Sequence, residues 1–176
     1  MKKRISKDEY YLGIAHEVSR RGECFRRISG AIIVRRDQIV ATGYTGSPRK
    51  VLGCSERFYC LRSKFNIPPG QRYELCASVH AEQNAIINAA RAGASVLGGD
   101  IFIFAQQMPY KKPIDAFPCF ICKKMIINAG LIRVVCSATD EKFKIFEADE
   151  WVKEWQDPEK DIIDDKTQYG VPFKHL

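Results

Sequence analysis

Apolar residues recur at helical spacing in several stretches of the chain. From Lys7 to Arg21 they lie three and four positions apart, and Ser6 followed by Glu9 has the spacing of a capping box. An alanine-rich segment from Val79 to Ala92 shows the same period and ends at Gly93, a residue type that commonly caps helices. Two further helices are predicted at Cys119–Ala129 and Asp149–Trp155.

Shorter apolar runs predict five strands. Gly30 to Val34 and Gln38 to Tyr44 flank three charged residues and therefore form a predicted hairpin. The later strands are predicted at Asp100–Ala105, Leu131–Cys136 and Phe143–Phe146. Only about six residues separate the last two strands, which is too few for a helical crossover, so we expect them to pair antiparallel.

The order of these elements predicts an α/β fold. A strand, a helix and a strand follow one another between Ile101 and Val135, which implies a right-handed crossover and a parallel strand pair covered by helices. We therefore expect a three-layer α/β/α sandwich around a mixed five-stranded sheet. The 176 residues suit one domain. Within it, residues 45–77 form a cysteine-rich insertion with a short helix near Glu56 to Lys64, and residues 156–176 form an extended tail.

Composition narrows the classes of protein that this chain can represent. No apolar run approaches the roughly 18 residues of a membrane span, and the first residues lack the apolar stretch of a signal peptide. We therefore expect a cytoplasmic protein without a membrane partner, in which the seven cysteines are metal ligands or reduced thiols. The formal charge of +7 suits a phosphorylated substrate or a nucleic acid, but the basic residues are scattered and charge alone does not decide.

Two motifs at predicted helix starts carry candidate chemistry. His80 and Glu82 form an HxE pair at the start of one helix, and Cys119 and Cys122 follow Pro118 in a PCxxC motif at the start of another. Cysteines three positions apart can direct both sulfur atoms at one ion, and the free N–H groups of a first helical turn favour thiolates. Side chains two positions apart can face one cavity when the residue that precedes the helix has non-helical dihedrals.

One imidazole and two thiolates make the ligand count of a catalytic zinc site, which keeps a fourth position for water. His80, Cys119 and Cys122 are therefore the predicted ligands. Glu82 is the predicted general base, which takes the proton of the water and delivers it to the substrate. The alternative is a structural zinc knot in which Glu82 only complements the helix dipole, although structural sites usually have four protein ligands and these motifs supply three.

The two motifs resemble those of zinc-dependent nucleobase deaminases, and the wider sequence resembles the deoxycytidylate (dCMP) deaminase family of the cytidine deaminase superfamily. The resemblance runs from Ile5 to Cys136 and includes GAIIV at Gly30, ATGYTGSP at Ala41, HAEQNAI at His80 and PCFICKKMIINAG at Pro118. It implies a fold of the cytidine deaminase type, conversion of dCMP to dUMP with release of ammonia, and a zinc cofactor. It also implies a homo-oligomer, because this superfamily often completes its pocket across subunits.

Substrate contacts are predicted at Thr45, Ala81, Phe117 and Pro118. Phe117 immediately precedes the second motif, where its ring can wall the base pocket. Thr45 stands where family members usually carry an asparagine that contacts the sugar, and it offers one hydroxyl in place of an amide donor and acceptor. The short link after Cys136 is a second departure, since dCMP deaminases generally cross over there to a parallel strand and nucleoside cytidine deaminases have the antiparallel version.

Four further cysteines suggest a second, structural zinc site: Cys24, Cys54, Cys60 and Cys76. The resemblance favours this hypothesis, because some dCMP deaminases hold a structural zinc with residues from the approach to the first strand and from this insertion. Four thiolates would close a tetrahedral site and hold a loop rich in glycine and proline. The alternative is that these are small buried apolar residues, as free cysteine often is, and no CxxC spacing occurs among the four.

The sequence leaves several functions open. The leading hypothesis is a deaminase of a small cytosine nucleotide, with no nucleic-acid partner. The alternatives are a cytidine or deoxycytidine deaminase, a tRNA adenosine deaminase that shares both motifs, and a non-catalytic zinc-stabilised binding protein. Glu82 argues against the last of these, because a structural role does not require a carboxylate there. Four basic residues of the insertion are candidates for a phosphate contact or for a solvated loop: Arg49, Lys50, Arg57 and Arg62.

Overall fold

Regular structure covers most of residues 4–156, the part of the chain that the computed structural model describes. Its helices are α1 (Lys7–Ser19), α2 (Cys54–Arg57), α3 (Leu61–Lys64), α4 (Ala81–Arg91), α5 (Phe120–Asn128) and α6 (Ala148–Trp155). Its strands are β1 (Arg27–Arg35), β2 (Gln38–Tyr44), β3 (Asp100–Gln107), β4 (Lys112–Pro113), β5 (Arg133–Cys136) and β6 (Lys144–Glu147). The predicted tail lies outside the described residues, except for Gln156.

The strands form one mixed sheet in the order β2-β1-β3-β5-β6. β1 pairs antiparallel with both β2 and β3, whereas β3 and β5 are parallel and are connected through α5. β6 returns antiparallel to β5, as the short link between them predicts. The two-residue β4, which pairs with the end of β3, was not expected, because a lysine and a proline carry no apolar alternation. The α/β fold with a mixed sheet is thus confirmed.

Alternating side chains of the strands separate two apolar layers. On one face, α1 packs Tyr11 and Leu12 against Ile32 and Phe102. The opposite face is covered by α4, α5 and α6, and its buried strand residues include Ala31, Ile33, Ile101, Ile103 and Val134. The predicted three layers are therefore present, with α1 on one side of the sheet. Both motif-bearing helices lie on the other side, which places the two motifs on the same face of the sheet.

The helix signals of the sequence operate in the structure. At the start of α1 the Ser6 hydroxyl accepts the N–H of Glu9 at 3.2 Å, and the Glu9 carboxylate accepts the N–H of Ser6 at 3.0 Å, which completes the capping box. After α4, Gly93 has φ +67° and the next amide bonds back to the carbonyl of Ala89 at 2.9 Å. Gly130, with φ +70°, caps the end of α5 in the same way.

The insertion contains two short α-helices, and a 3-10 turn at Tyr73–Leu75, where the sequence predicted one short helix. Phe58 has a left-handed backbone with φ 59° and ends α2, and Cys60 has an extended backbone from which α3 begins. A non-glycine residue in the left-handed region cannot continue a helix, and composition does not reveal such a residue.

Across residues 4–156, no helix has both the length and the hydropathy needed to cross a lipid bilayer.

Gly43 in β2 lets α4 approach the sheet closely. A Cβ atom at this position would lie 2.3 Å from both the carbonyl oxygen of Ala81 and the amide nitrogen of Ala85. Both are backbone atoms of α4, so the helix itself would have to move. Since the HxE pair stands at the start of α4, Gly43 also helps to fix the position of that motif.

Gly43→Ala is expected to lower the free energy of unfolding by about 1–3 kcal/mol, the usual cost of overpacking. The matched control is Gly13→Ala, because Gly13 lies on the exposed side of α1 and a Cβ there meets nothing within 4 Å. The control should raise the free energy of unfolding by about 0.5–1 kcal/mol. Urea unfolding followed by circular dichroism measures both, and equal midpoints for the two variants would contradict the packing argument.

Candidate active site

The first motif is held at the transition from loop to helix. His80 is the N-cap of α4 and has an extended backbone with φ −69° and ψ 155°, and its N–H is accepted by the side-chain oxygen of Gln83 at 3.3 Å. The extended N-cap turns the imidazole toward the same cavity as Glu82, the second residue of the helix. Glu82 is only 5 % exposed. A buried carboxylate at the wall of a cavity is a group placed for chemistry more than for solubility.

The second motif begins α5 and lies against the first. Cys119 is the N-cap with ψ 166°, and Cys122 lies in the first turn. Each sulfur atom is 3.4 Å from Nδ1 of His80. The ligand atoms of these three residues all lie within 4.8 Å of one another, and no other set of three acidic, cysteine or histidine residues in the described chain does so. The structure therefore brings together the three predicted zinc ligands.

The donor set fits a zinc ion. In a tetrahedral site with Zn–S of about 2.3 Å and Zn–N of about 2.05 Å, a sulfur and a nitrogen ligand lie about 3.6 Å apart. The two observed sulfur–nitrogen distances of 3.4 Å match this separation closely. Three ligands from two helix starts leave one position of the tetrahedron for a fourth group. Glu82 lies within hydrogen-bonding reach of the Cys122 side chain and is therefore beside the cluster.

The hydrogen bond between the two cysteines of the cluster favours a negative charge on one of them, Cys119. The hydrogen bond from the Cys122 thiol lowers the pKa of Cys119 to about 4, helped by His80, although burial opposes the charge. The same contact, together with burial, raises the pKa of Cys122 well above its usual value. Burial disfavours a charged His80, but the Cys119 thiolate and the Glu82 carboxylate outweigh it and raise the pKa of the imidazole. The lowered pKa favours the thiolate form of Cys119, which is the form of cysteine that binds a metal.

A cavity of about 660 Å³ extends from these residues toward the insertion. Its volume lies in the range that accommodates a small-molecule ligand of nucleotide size. Thr45, Ala81 and Phe117 line it, as expected for substrate contacts, and the Phe117 ring is held edge-on by Phe146 at 5.2 Å between centroids. Pro118 is buried and is absent from the described residues that line the cavity. Three of the four predicted contact residues therefore share the cavity with Glu82.

The hydroxyl of Thr45 is already engaged. Its Oγ1 accepts the N–H of Ser29 at 3.0 Å, and the N–H of Thr45 is bonded to the carbonyl of Ser29 at 2.9 Å. Thr45 is buried, so it serves first to join the end of β2 to β1 beside the cavity. A sugar contact by this side chain would have to share the same oxygen.

The four remaining candidate ligands line the far part of the same cavity: Cys24, Cys54, Cys60 and Cys76. Burial raises the pKa of Cys54, and the charges of the other three reach it and add to that rise. Their sulfur atoms do not all lie within 4.8 Å, so the described structure does not assemble them as tightly as the first cluster. Cys136, expected in the core, is fully buried on β5.

The candidate phosphate contacts of the insertion are dispersed. Arg49 donates to the Asn88 side chain and Arg57 to the Leu52 carbonyl, and neither they nor the exposed Lys50 lie in the cavity wall. Only Arg62 lines the cavity and is buried. The structure adds two arginines that the sequence analysis missed, Arg26 and Arg27. Two arginines before an apolar run give no apolar signal for a strand, so the sequence did not mark them.

Three comparisons agree with this geometry. Residues 5–138 match the family model for the cytidine and deoxycytidylate deaminase zinc-binding region. The chain is 32% identical over 133 residues to the deoxycytidylate deaminase of Mycobacterium phage D29, covering 73% of this chain and 91% of the phage protein. It is 30% identical over 132 residues to the deoxycytidylate deaminase of Schizosaccharomyces pombe, covering 75% of this chain but 37% of the yeast protein.

Comparison with solved structures also finds a dCMP deaminase. The dCMP deaminase of the cyanophage S-TIM5 in its apo form superposes with a TM-score of 0.54 at 26% sequence identity, over 75% of this chain and 82% of that one. A second structure of the S-TIM5 protein, in complex with dCMP and dUMP, gives a TM-score of 0.52. The chain thus spans most of the two phage relatives and about a third of the yeast one.

Proposed function

This chain belongs to the cytidine and deoxycytidylate deaminase zinc-binding family, and from that membership we propose that it hydrolyses dCMP to dUMP and ammonia with zinc as cofactor. The observation that carries the proposal is the burial of Glu82 beside the cluster of His80, Cys119 and Cys122, at the wall of a cavity of nucleotide size. The S-TIM5 protein, which shares the fold and 26% of the aligned sequence, has been captured with dCMP and dUMP, which supports the choice of substrate.

In the proposed mechanism, His80, Cys119 and Cys122 would hold a zinc ion, which when bound would supply Lewis-acid activation of a water at neutral pH. Glu82 accepts a proton from that water as its oxygen attacks C4 of the cytosine ring. The carboxylic acid then protonates N3, and Glu82 afterwards takes the proton of the new C4 hydroxyl and delivers it to the amino group. Breaking the C4–N bond releases ammonia and leaves the carbonyl of uracil, so one water is consumed for each ammonia formed.

The roles of the other residues follow from their positions. The His80 side chain is oriented by the extended N-cap and by Gln83, which accepts the main-chain N–H. Phe117 and Ala81 present apolar surface to the base. The burial of Glu82 excludes bulk water from the carboxylate, which keeps its proton available for transfer to the substrate.

A panel of substrates tests the proposed function. Ammonia release should be measured with dCMP, CMP, deoxycytidine, cytidine and a tRNA adenosine stem-loop, with zinc counted per chain on the same sample. Turnover of dCMP well above that of every other substrate supports the proposal. Preferential turnover of a nucleoside or of the stem-loop would replace it by one of the two alternative deaminases. Bound zinc without any ammonia release would favour the binding protein.

We also propose that Cys24, Cys54, Cys60 and Cys76 hold a second, structural zinc. Two of the sulfur atoms accept hydrogen bonds, as metal-bound thiolates do. The sulfur of Cys24 accepts the N–H of Arg26 at 3.4 Å. Hydrogen bonds from Ser63 and from the Arg62 amide lower the pKa of Cys60, although burial opposes this. Binding of the ion would draw the four sulfurs together and tie the insertion to the approach to β1.

Cys60→Ala is expected to reduce the zinc content from two ions per chain to one and to leave the first cluster loaded. The matched control is Cys136→Ala, because Cys136 is a buried cysteine of the core that takes part in neither cluster and should retain both ions. Inductively coupled plasma mass spectrometry on protein purified without chelators gives the count. A wild-type content of one ion per chain, unchanged in Cys60→Ala, would contradict the second site.

Three further expectations belong with the proposal. We expect a homo-oligomer, in keeping with a superfamily that often completes its pocket across subunits, and sedimentation velocity measures the assembly directly. A cytoplasmic location is supported by the seven cysteines, none of which is in a disulfide. No nucleic-acid partner is required by a substrate of this size.

A further inference from the structure

A row of three aromatic side chains runs from the cavity wall to α6: Phe117, Phe146 and Trp151. The described residues that line the cavity include Phe117 but neither of the other two. We infer that Phe146 is a positioning residue, which holds the Phe117 ring at the base side of the cavity and so sets the affinity for the nucleotide. This inference rests on the proposed function, in which Phe117 presents apolar surface to the base.

Phe117 depends on its neighbours for its orientation. Its backbone belongs to no helix or strand, because it lies in the link between β4 and α5, and its side chain is half-buried. The direction of the ring is therefore set by the side chains that pack around it. Phe146 meets the ring edge-on, with centroids 5.2 Å apart and planes at 78°. Aromatic pairs favour this arrangement, so Phe146 selects one orientation of Phe117.

Phe146 is itself fixed from two sides. In the sheet it pairs with Val134 of β5, and its ring centroid lies 5.9 Å from that of Trp151. Trp151 is buried on α6, which begins directly after β6. The ammonium of the buried Lys123 on α5 lies 4.7 Å from the Trp151 ring centroid. Phe117 and Lys123 flank the PCxxC motif, so β6 and α6 brace this motif at both of its ends.

A lysine supports the same pair of rings. The ammonium nitrogen of the exposed Lys144 lies 5.5 Å from the ring centroid of Phe117 and 5.9 Å from that of Phe146. A cation at this distance is attracted to the face of an aromatic ring. Neither Lys144 nor Phe146 is among the described residues of the cavity wall. Both therefore restrict the Phe117 ring without occupying space that the substrate needs.

The first experiment compares KM and kcat for dCMP in wild type and Phe146→Leu, which keeps an apolar side chain but removes the ring. KM should rise about 3- to 10-fold, the value of one aromatic contact, and kcat should stay within about twofold. A wall contact of the base acts equally on the ground and transition states, so its loss changes KM and not kcat. The zinc content should remain that of wild type, because no ligand is touched.

The matched control is Phe143→Leu. Phe143 is also half-buried and stands just before β6, but it packs against the layer formed by α1, on the other face of the sheet. The control should lower the thermal midpoint about as much as Phe146→Leu does and leave KM at the wild-type value. An equal rise of KM in both variants would show that Phe146 acts only through general stability, and it would overturn the inference.

A double variant tests whether the effect passes through Phe117. Phe117→Leu should raise KM by itself, and the addition of Phe146→Leu should then change KM by less than about twofold, because the ring that Phe146 orients is gone. Independent effects that multiply in the double variant would contradict a role through Phe117.

A binding measurement separates this inference from the proposed function. Calorimetric titration of dCMP into zinc-loaded Glu82→Ala gives the affinity without turnover, and adding Phe146→Leu should weaken it about 3- to 10-fold. This loss of affinity, in a protein whose wild type deaminates no substrate, would keep the role of Phe146 and overturn the proposed function. Turnover of dCMP by wild type, with equal affinities in the two Glu82→Ala proteins, would keep the proposed function and overturn the role of Phe146.

Discussion

Glu82→Ala should lower kcat for dCMP by at least about 10²- to 10⁴-fold, the usual contribution of a general acid–base group. One carboxylate is proposed to carry every proton transfer of the reaction, and among the described residues that line the cavity no other carboxylate is present to replace it. The zinc ligands are untouched, so the variant should retain the metal. Steady-state ammonia release and the zinc content of the same preparation measure the two parts of this prediction.

The fold of the Glu82 variant is expected to be intact. A carboxylate only 5 % exposed is costly to bury, so its removal should leave the thermal midpoint equal to that of wild type or higher. Glu17→Ala is the matched control, because Glu17 is an exposed acid on α1 whose contact is a surface pair with Arg20. The control should keep full activity. Wild-type turnover by Glu82→Ala would show that another group performs the proton transfers.

Cys119→Ser should abolish stable zinc binding and, with it, turnover. A serine hydroxyl stays protonated where the thiol of Cys119 has a pKa of about 4, so the variant loses an anionic ligand and not only a sulfur atom. Zinc affinity should fall by more than about 100-fold, since even residues that merely support a ligand are each worth about 10- to 100-fold. Competition with a chromogenic chelator measures the affinity of the first site.

The matched variant is again Cys136→Ala. Cys136 is a buried cysteine on β5. Its replacement should lower the free energy of unfolding but leave zinc affinity and kcat close to wild type. The comparison separates loss of a ligand from loss of a buried thiol. If Cys119→Ser bound zinc as tightly as Cys136→Ala does, then the cluster of His80, Cys119 and Cys122 would not be the primary metal site.

Local signals were sufficient to predict the architecture and the centre of the site. The capping box at Ser6 and the glycine caps after α4 and α5 act through neighbouring residues, so they can be read from the sequence. Both zinc motifs stand at helix starts, where spacing alone dictates the direction of the side chains. The antiparallel β6 followed from the length of one link, because a short connection excludes a crossover.

The parts that could not be predicted depend on long-range packing. The start of β1 at Arg27 is set by its pairing with Gln107, 80 positions away in the chain, and two arginines give no apolar signal for a strand. Arg62 was one of four basic candidates of the insertion, and the sequence could not single it out as the one that lines the cavity, because the left-handed residue Phe58 that splits the predicted helix is not revealed by composition. The basic side of the cavity therefore became visible only in the assembled fold.

The most direct test of the central claim is the fate of the oxygen atom when the zinc-loaded protein is incubated with dCMP in water enriched in ¹⁸O. Mass spectrometry of the nucleotide measures both the conversion and the isotope. Hydrolytic deamination by this site predicts dUMP carrying one ¹⁸O at C4, formed in equal amount with ammonia. Recovery of unchanged dCMP from protein that holds its zinc would contradict the account.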